Sequence, residues 1–291
     1  MAAAGGALSN ILALPSSLSS STSSMRTFHL AFASFGRHPP FAGQVDLRAA
    51  IRSIARVASS HLLLFGIAGE HTHIVLRCDR RGAGLLARSL LKSLRAVARD
   101  ALLEPARLQP VDDQDQLWWL HDYLLQLPAR TGVGVHPALW EGSPLADLLG
   151  ARWLPGFEVD PTAFLPGWEP ARACAVVGLA QHPAPPTLAQ VRLLGMGRIA
   201  AAAAAATAAH PSSSGRTATE VMARRAAARL AQRAGLPRSE LSWAFGQTRR
   251  TAYRLAGAPL PAAVLGAVRM RLALEQAVAA QPATITFSTA S

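Results

Sequence analysis

Two histidines, His71 and His73, are spaced so that both could contact one ion. They lie in "GIAGEHTHIVLRC" (66–78), an apolar stretch interrupted by Gly69-Glu70. Residues i and i+2 of a strand point to the same face, so we expect both imidazoles on one face. Neutral imidazole is a good ligand for divalent cations. On spacing alone, two half-exposed strand residues without a ligand are the better explanation, and a metal site requires a further partner.

The segments around the histidines predict the elements that must position them. Two β-prone runs on either side of Gly69-Glu70 predict a hairpin over 61–78. Apolar spacing predicts strands over 26–38 and 106–111 and helices over 44–60, 83–103 and 112–127, with Pro128 ending the third helix. This order is typical of an α+β fold, a ferredoxin-like antiparallel sheet with helices on one face.

The charge of the chain favours a polyanionic partner. The formal net charge is +12, and Lys92 is the single lysine among 29 basic residues. Arginine binds phosphate bidentately and stacks on bases, which fits nucleic acid. GC-rich coding is the alternative explanation for so much arginine. On the helix predicted over 83–103, basic residues recur every three or four positions and could line a DNA track or form a solvated face: Arg88, Lys92, Arg95 and Arg99.

Cysteine content and hydropathy indicate a reducing cytoplasm and no membrane span. The two cysteines, Cys78 and Cys174, form neither a disulfide framework nor a CxxC zinc site. No apolar run reaches the roughly 18 residues of a membrane helix. Residues 1–24 lack the basic start of a signal peptide, so we expect a disordered tail there, with Met25 as a second candidate start of translation.

The second half of the chain predicts a separate DNA-binding unit. We expect a domain over 25–150, an irregular segment and linker over 151–219, flexible near 203–219, and a helical domain over 220–291. Three short helices with glycine-bearing turns match a helix-turn-helix unit, although an ordinary helical bundle with a basic face fits too. The third helix offers candidate DNA contacts: Gln247, Thr248, Arg249, Arg250 and Arg254.

A tyrosine on the third helix of the first domain completes a combination with the histidine pair. The segment "GIAGEHTHIVL" resembles the "MPNHVHLLL" motif of the REP-associated tyrosine transposases, part of the HUH superfamily of single-strand nucleases. The segment "YLLQLPARTGV", which begins at Tyr123, resembles their "YILxNPVRAGL" motif. With "FHLAFASFGRHPPF" similar to the first strand and loop, the resemblance covers residues 26–150 in matching order.

The resemblance implies a specific chemistry. Tyr123 would attack a phosphodiester of single-stranded or hairpin DNA and leave a covalent 5′-phosphotyrosine and a free 3′-OH. His71 and His73 would hold Mg²⁺ or Mn²⁺, with Gln126 as the third ligand, although two imidazoles alone favour a softer metal. Arg130 of the following turn would contact DNA. A bacterial cytoplasmic, nucleoid-associated protein follows, and homodimerisation stays open.

Departures from the family pattern favour an alternative function. Thr72 stands where the family has a bulky hydrophobe, Glu70 replaces Asn, and Leu127 occupies the position of the usual amide ligand. The alternative is a catalytically impaired DNA-binding protein or regulator with the same fold. A third hypothesis is a metal-dependent hydrolase that uses the histidines without a covalent tyrosine.

Two aromatic residues of the helix have other interpretations. Tyr123 could be a core aromatic beside Trp118 and Trp119. We expect His121 to be an exposed helix residue rather than a ligand. The orientation of the Tyr123 hydroxyl relative to the histidine face therefore separates the hypotheses.

Overall fold

The chain folds into an α+β structure in which helices surround one sheet. This computed structural model describes residues 25–98, 102–246 and 248–281. The strands are β1 (Arg26–Ala33), β2 (Leu62–Ala68), β3 (His71–Cys78) and β4 (Arg107–Val111). The α-helices are α1 (Gln44–Ala58), α2 (Arg80–Val97), α3 (Gln114–Arg130), α4 (Leu145–Leu148), α5 (Pro170–Val176), α6 (Leu188–Ala206), α7 (Ala218–Arg233), α8 (Arg238–Ala244), α9 (Arg249–Gly257) and α10 (Ala262–Ala279).

The four described strands form one antiparallel sheet in the order β2-β3-β1-β4. The predicted hairpin is confirmed, because β2 pairs with β3 across Gly69-Glu70, with Gly69 at a φ of 55°. Strand β1 lies beside β3, and Ala31 pairs with His73. The sheet therefore places the histidine strand at its centre, next to the first strand of the chain.

Helices cover both faces of the sheet, not one as expected from the sequence. On one face α1 and α2 pack against alternate residues of β1, namely Phe28, Leu30 and Phe32. On the other face α3 packs against the side chains of Leu64 and Val75. Helix α3 has its own apolar side to bury, and the face left open by α1 and α2 accepts it.

Helix α3 runs past Pro128 to Arg130, so the prediction that Pro128 ends it is wrong. Proline lacks an N–H and therefore removes one helical hydrogen bond. In the final turn that loss is small, and the Thr131 N–H still donates to the Leu127 carbonyl over 3.1 Å.

A loop protects the outer edge of β2. The Ile67 N–H donates to the Gly142 carbonyl over 2.8 Å, and the Trp140 indole N–H donates to the Ile67 carbonyl over 2.5 Å. A Cβ at position 142 would lie 2.2 Å from the Ile67 oxygen, so the approach requires glycine. The loop pairs the backbone groups that an edge strand otherwise exposes.

The alanine-rich segment is helical, which corrects the expected linker over 203–219. Helix α6 extends to Ala206, and only the part from Thr207 onward is a connection. Alanine is the best helix former, and its small side chain lets α6, α7 and α10 approach closely. The alanines in their shared core include Ala202, Ala203, Ala206, Ala226 and Ala227.

The C-terminal helices pack directly on the first half of the chain. Leu274 of α10 belongs to the same apolar cluster as Leu124 of α3. Arg48 of α1 donates to the Ala209 carbonyl over 2.7 Å, and Arg52 donates to the Ala208 carbonyl. Residues 1–24, predicted to be a disordered tail, lie outside the described residues. Within the described chain, every helix falls short of the length and apolarity needed to cross a membrane.

Candidate active site

Helix α3 places Tyr123 on the face of the sheet that bears the histidines. Its N-cap is Asp113, whose carboxylate accepts the Gln116 N–H over 2.7 Å. Leu120 and Leu124 are buried against the sheet. At Gly66, beside His73 in the sheet, a Cβ would lie 3.0 Å from the Leu124 Cδ2. The glycine thus allows α3 to approach the strand that bears the histidines.

Three side chains form a hydrogen-bonded row across the sheet. His29 Nε2 lies 3.0 Å from His73 Nδ1, and the two rings stack with 5.2 Å between centroids. His73 Nε2 lies 3.4 Å from the Tyr123 hydroxyl oxygen, and the rings of His73 and Tyr123 meet edge-on at 88°. Tyr123 therefore points at the histidine face.

His29 is a site residue that the sequence analysis missed. It alternates with the buried Phe28 and Leu30, so on β1 it must face away from the α1–α2 core. That face also carries His73 because β1 and β3 are paired. The alternation of residues in the first predicted strand indicated which face His29 occupies. Its nearness to His73 could be inferred only with the knowledge that β1 pairs with β3.

Burial keeps the central histidines neutral. Burial lowers the pKa of His73 to about 3, and the neighbouring His29 and His71 add to the shift. Burial also lowers the pKa of His29. With both rings neutral, one of the two nitrogens in the contact between His29 and His73 must donate the hydrogen and the other must accept it. If His73 Nδ1–H donates to His29, its Nε2 keeps a lone pair facing Tyr123.

His71 and His73 are the residues of this face that could share a cation. His71 and His73 share one face with ring centroids 5.8 Å apart, and His71 is half-exposed with its Nε2 3.3 Å from a Glu70 carboxylate oxygen. A ligating histidine commonly donates its other N–H to a second partner, as His73 can donate to His29. The two imidazoles therefore fit a shared cation. Within the described chain, three or more His, Cys, Asp or Glu residues nowhere cluster as a metal site.

Gln126, the expected third ligand, is engaged by Arg130. The Arg130 Nη2 donates to the Gln126 side-chain oxygen over 3.0 Å. An amide oxygen has two lone pairs, so one stays available. Arg130 also places its guanidinium carbon 5.4 Å from the centre of the Tyr123 ring. The structure thus brings the predicted Arg130 beside Tyr123.

An exposed tryptophan, Trp119, completes the surroundings of Tyr123. Its ring is stacked on the Tyr123 ring, with centroids 5.1 Å apart and planes 12° apart. Trp119 is nevertheless 60 % exposed. It lies one turn before Tyr123 on the same side of α3, as i and i+4 residues do.

The departures from the family pattern lie away from this row. Thr72 is fully buried, and by strand alternation it points to the α1–α2 face, opposite His71 and His73. Leu127 is buried in the contact between α3 and the hairpin. The Thr72 hydroxyl has no hydrogen-bond partner among the described residues and Leu127 has no polar side-chain atom, so neither is hydrogen-bonded to the row. The third departure, Glu70, has a carboxylate oxygen 3.3 Å from His71 Nε2.

His121 is fully buried, so the prediction of an exposed residue is wrong. Its Nδ1 lies 2.7 Å from the Asp122 carboxylate, and its Nε2 accepts the Trp168 indole N–H over 3.1 Å. The residues after α4 fold back over α3 and cover this position. It serves packing, not the candidate site.

The basic residues of α2 do not line the candidate site. Arg88, Lys92 and Arg95 are exposed on a helix that covers the opposite face of the sheet. Arg95 also donates to the Leu103 carbonyl over 3.1 Å, which anchors the chain entering β4. Arg99 lies outside the described residues. A DNA track along α2 would therefore be separate from Tyr123.

The candidate contacts on the C-terminal helices are mostly exposed. Arg249, Arg250 and Arg254 of α9 face solvent. The Thr248 hydroxyl oxygen caps α9 by accepting the Thr251 N–H over 3.2 Å. Gln247 lies outside the described residues. Helix α7 holds the far end of α9, because the Arg229 Nε donates to the Ala256 carbonyl over 2.6 Å.

Comparison of the chain with protein-family models, curated proteins and solved structures found no match.

Proposed function

We propose that this protein cuts and rejoins single-stranded DNA through a covalent bond to Tyr123. The observation that carries the proposal is the position of the Tyr123 hydroxyl, 3.4 Å from His73 Nε2 and on the histidine face. The Tyr123 ring packs against the leucine cluster of α3, and its hydroxyl extends from there to His73. The resemblance to HUH transposases and the charge of +12 support a DNA substrate.

The proposed step is a transfer of a phosphoryl group to the tyrosine. The Tyr123 oxygen attacks the phosphorus, the new bond between phosphorus and the tyrosine oxygen forms, and the bond to the 3′ oxygen breaks. The phenol proton leaves to water, and the 3′ oxygen takes a proton from water. The 5′-phosphotyrosine conserves the energy of the broken bond, so the reverse attack by a 3′-OH rejoins DNA without ATP.

His73 orients Tyr123 rather than removing its proton. A phenol has a pKa near 10, whereas burial lowers the pKa of His73 to about 3. Moving a proton from a phenol to an imidazole of so much lower pKa is strongly unfavourable. Accepting a hydrogen bond at Nε2 requires no proton transfer, and it aims the hydroxyl oxygen while no cation is bound. A bound cation would take this single lone pair instead, and the Tyr123 oxygen would then stay beside it through the packing of its ring.

A divalent cation completes the proposal. His71 and His73 would hold Mg²⁺ or Mn²⁺, and the free lone pair of the Gln126 oxygen would provide a third ligand. When bound, the cation polarises the phosphate and offsets the charge that develops during attack. Arg130 would add a fixed positive charge beside the tyrosine.

The fold and the C-terminal helices fit the same proposal. The element order and the strand order β2-β3-β1-β4 support a ferredoxin-like frame for residues 25–150. Helices α8 and α9 support a helix-turn-helix pair that contacts duplex DNA or a hairpin stem through Arg249, Arg250 and Arg254. Such a protein would work in the bacterial cytoplasm, at the nucleoid.

The test is covalent capture of labelled DNA. Purified protein is incubated with a labelled single-stranded hairpin taken from beside its gene, with Mg²⁺ or Mn²⁺, and separated on a denaturing gel. We expect an adduct that survives denaturation, and we expect Tyr123→Phe and His71→Ala to abolish it. Tyr253→Phe is the matched control because it removes the second of the chain's two tyrosines.

Each outcome separates the hypotheses. An adduct that persists in Tyr123→Phe would place the nucleophile elsewhere and overturn the proposal. Salt-sensitive binding without any adduct would favour the regulator. Cleavage that leaves no adduct and survives Tyr123→Phe would favour the metal-dependent hydrolase.

A further inference from the structure

The strip of α3 beside the nucleophile contains more than Tyr123. Trp119, Tyr123 and Arg130 follow one side of the helix and will be called the α3 strip. Both other side chains contact Tyr123: the Trp119 ring stacks on the Tyr123 ring, and the guanidinium of Arg130 lies over it. The contacts between Trp119, Tyr123 and Arg130 pre-arrange the three side chains before any ligand arrives.

The Trp119 ring is largely open to solvent. The side chain is large and apolar, and it is 60 % exposed, whereas its neighbour Trp118 is covered by the guanidinium of Arg172 at 3.8 Å. Tyr123 occupies one face of the Trp119 ring. An aromatic ring held rigidly on one face and open to solvent elsewhere is a suitable surface for another flat ring.

Positive charges flank the strip on the sheet side. Arg107 of β4 pairs with Ala31, and Ala31 pairs with His73, so Arg107 points to the same face as His73. Two strand spacings place the two backbones about 10 Å apart. Arg107 and Arg130 are both exposed. An occupant of the strip that carries negative charge on either side of a flat ring is therefore favoured.

We infer that Trp119 is a stacking platform for one nucleobase of single-stranded DNA, next to the phosphate presented to Tyr123. A nucleotide combines the flat ring and the flanking phosphates that the strip and its arginines complement. In duplex DNA each base is already stacked on both sides, so the platform selects unpaired DNA. This inference rests on the proposed function and adds the positioning residue that sets the substrate class.

The test measures binding in a background that cannot react. Full-length Tyr123→Phe protein retains the ring beneath Trp119 but lacks the hydroxyl. Its affinity for labelled oligothymidine of about 16 nucleotides, the upper site size of common single-strand-binding folds, is measured by anisotropy. We expect Trp119→Ala to weaken binding about tenfold and Trp119→Phe to weaken it less, because phenylalanine retains a stacking face.

The matched control is Leu193→Ala. Leu193 lies on α6, outside both proposed DNA surfaces, and is 87 % exposed, and we expect its replacement to leave affinity for oligothymidine unchanged. A second readout reports stacking directly. An abasic nucleotide is moved stepwise along the oligonucleotide, and at one position it should weaken binding to the Trp119 protein but not to Trp119→Ala.

Failure of this inference is distinguishable from failure of the proposed function. Equal affinity of Trp119 and Trp119→Ala proteins, or an abasic penalty that is the same in both, would overturn the platform even if a Tyr123 adduct forms. An abasic nucleotide that weakens binding only when Trp119 is present would support the platform. If the wild-type protein then forms no adduct, the covalent chemistry is overturned.

Discussion

At the scale of single residues, His121 shows how one hydrogen bond sets a protonation state. The Trp168 indole N–H can only donate, so the His121 Nε2 that faces it must carry a lone pair. Nδ1 then holds the proton and donates to Asp122. Burial lowers the pKa of His121, and the opposing pull of Asp122 is too weak to restore it. Acid must therefore break the contact with Trp168.

This gives a pH-dependence prediction. Because the folded pKa of His121 is below 6.5, its contribution to stability is present above pH 6.5 and is lost as pH falls towards the folded pKa. The free energy of unfolding is measured by urea titration at several pH values for wild type and His121→Gln. Below pH 6.5 the free energy of unfolding should fall more steeply with falling pH in wild type than in the variant, by up to about 1.4 kcal/mol per pH unit. Parallel profiles would contradict the assignment.

At the scale of elements, α9 carries the proposed contacts to duplex DNA. Arg249 and Arg250 are exposed in its first turn and line one depression with Ser239 and Tyr253. We expect Arg249→Ala with Arg250→Ala to weaken duplex binding and to lower the slope of log affinity against log salt by roughly 0.9 per lost phosphate contact. Arg192→Ala, an exposed arginine on α6, is the control and should leave the slope unchanged.

The elements also show how far sequence reasoning can reach. Tyr123 was singled out by the resemblance, and the direction of its hydroxyl was left open. The hairpin was predictable, because strand alternation on either side of Gly69-Glu70 suffices to place its side chains. His29 was not, because its role depends on which strand pairs with β1. The helical alanines before Thr207 resembled a linker because their burial comes from elements distant in sequence, mainly α7 and α10. Information about pairing between distant segments was missing in both cases.

At the scale of the whole molecule, a buried ion pair joins α1 to the loop that covers β2, and its arginine also reaches the second half of the chain. Arg48 donates to both oxygens of Glu141 over 2.6 Å and also to the Ala209 carbonyl. Burial raises the pKa of Glu141, but the hydrogen bonds and charge of Arg48 outweigh it and lower the pKa. The carboxylate therefore stays charged at neutral pH.

Replacing one partner of this ion pair should lower the free energy of unfolding more than replacing both. Arg48→Met leaves the buried Glu141 carboxyl without its ion-pair partner, which typically costs about 3–5 kcal/mol of unfolding free energy. The double variant Arg48→Met with Glu141→Leu has no unpaired carboxyl, so it should lose less free energy of unfolding than Arg48→Met. Arg56→Met, an exposed position two turns later on α1, should stay within about 0.5 kcal/mol of wild type. Chemical denaturation at neutral pH measures all three, and a double variant less stable than Arg48→Met would show that Glu141 has other partners strong enough to hold its charge.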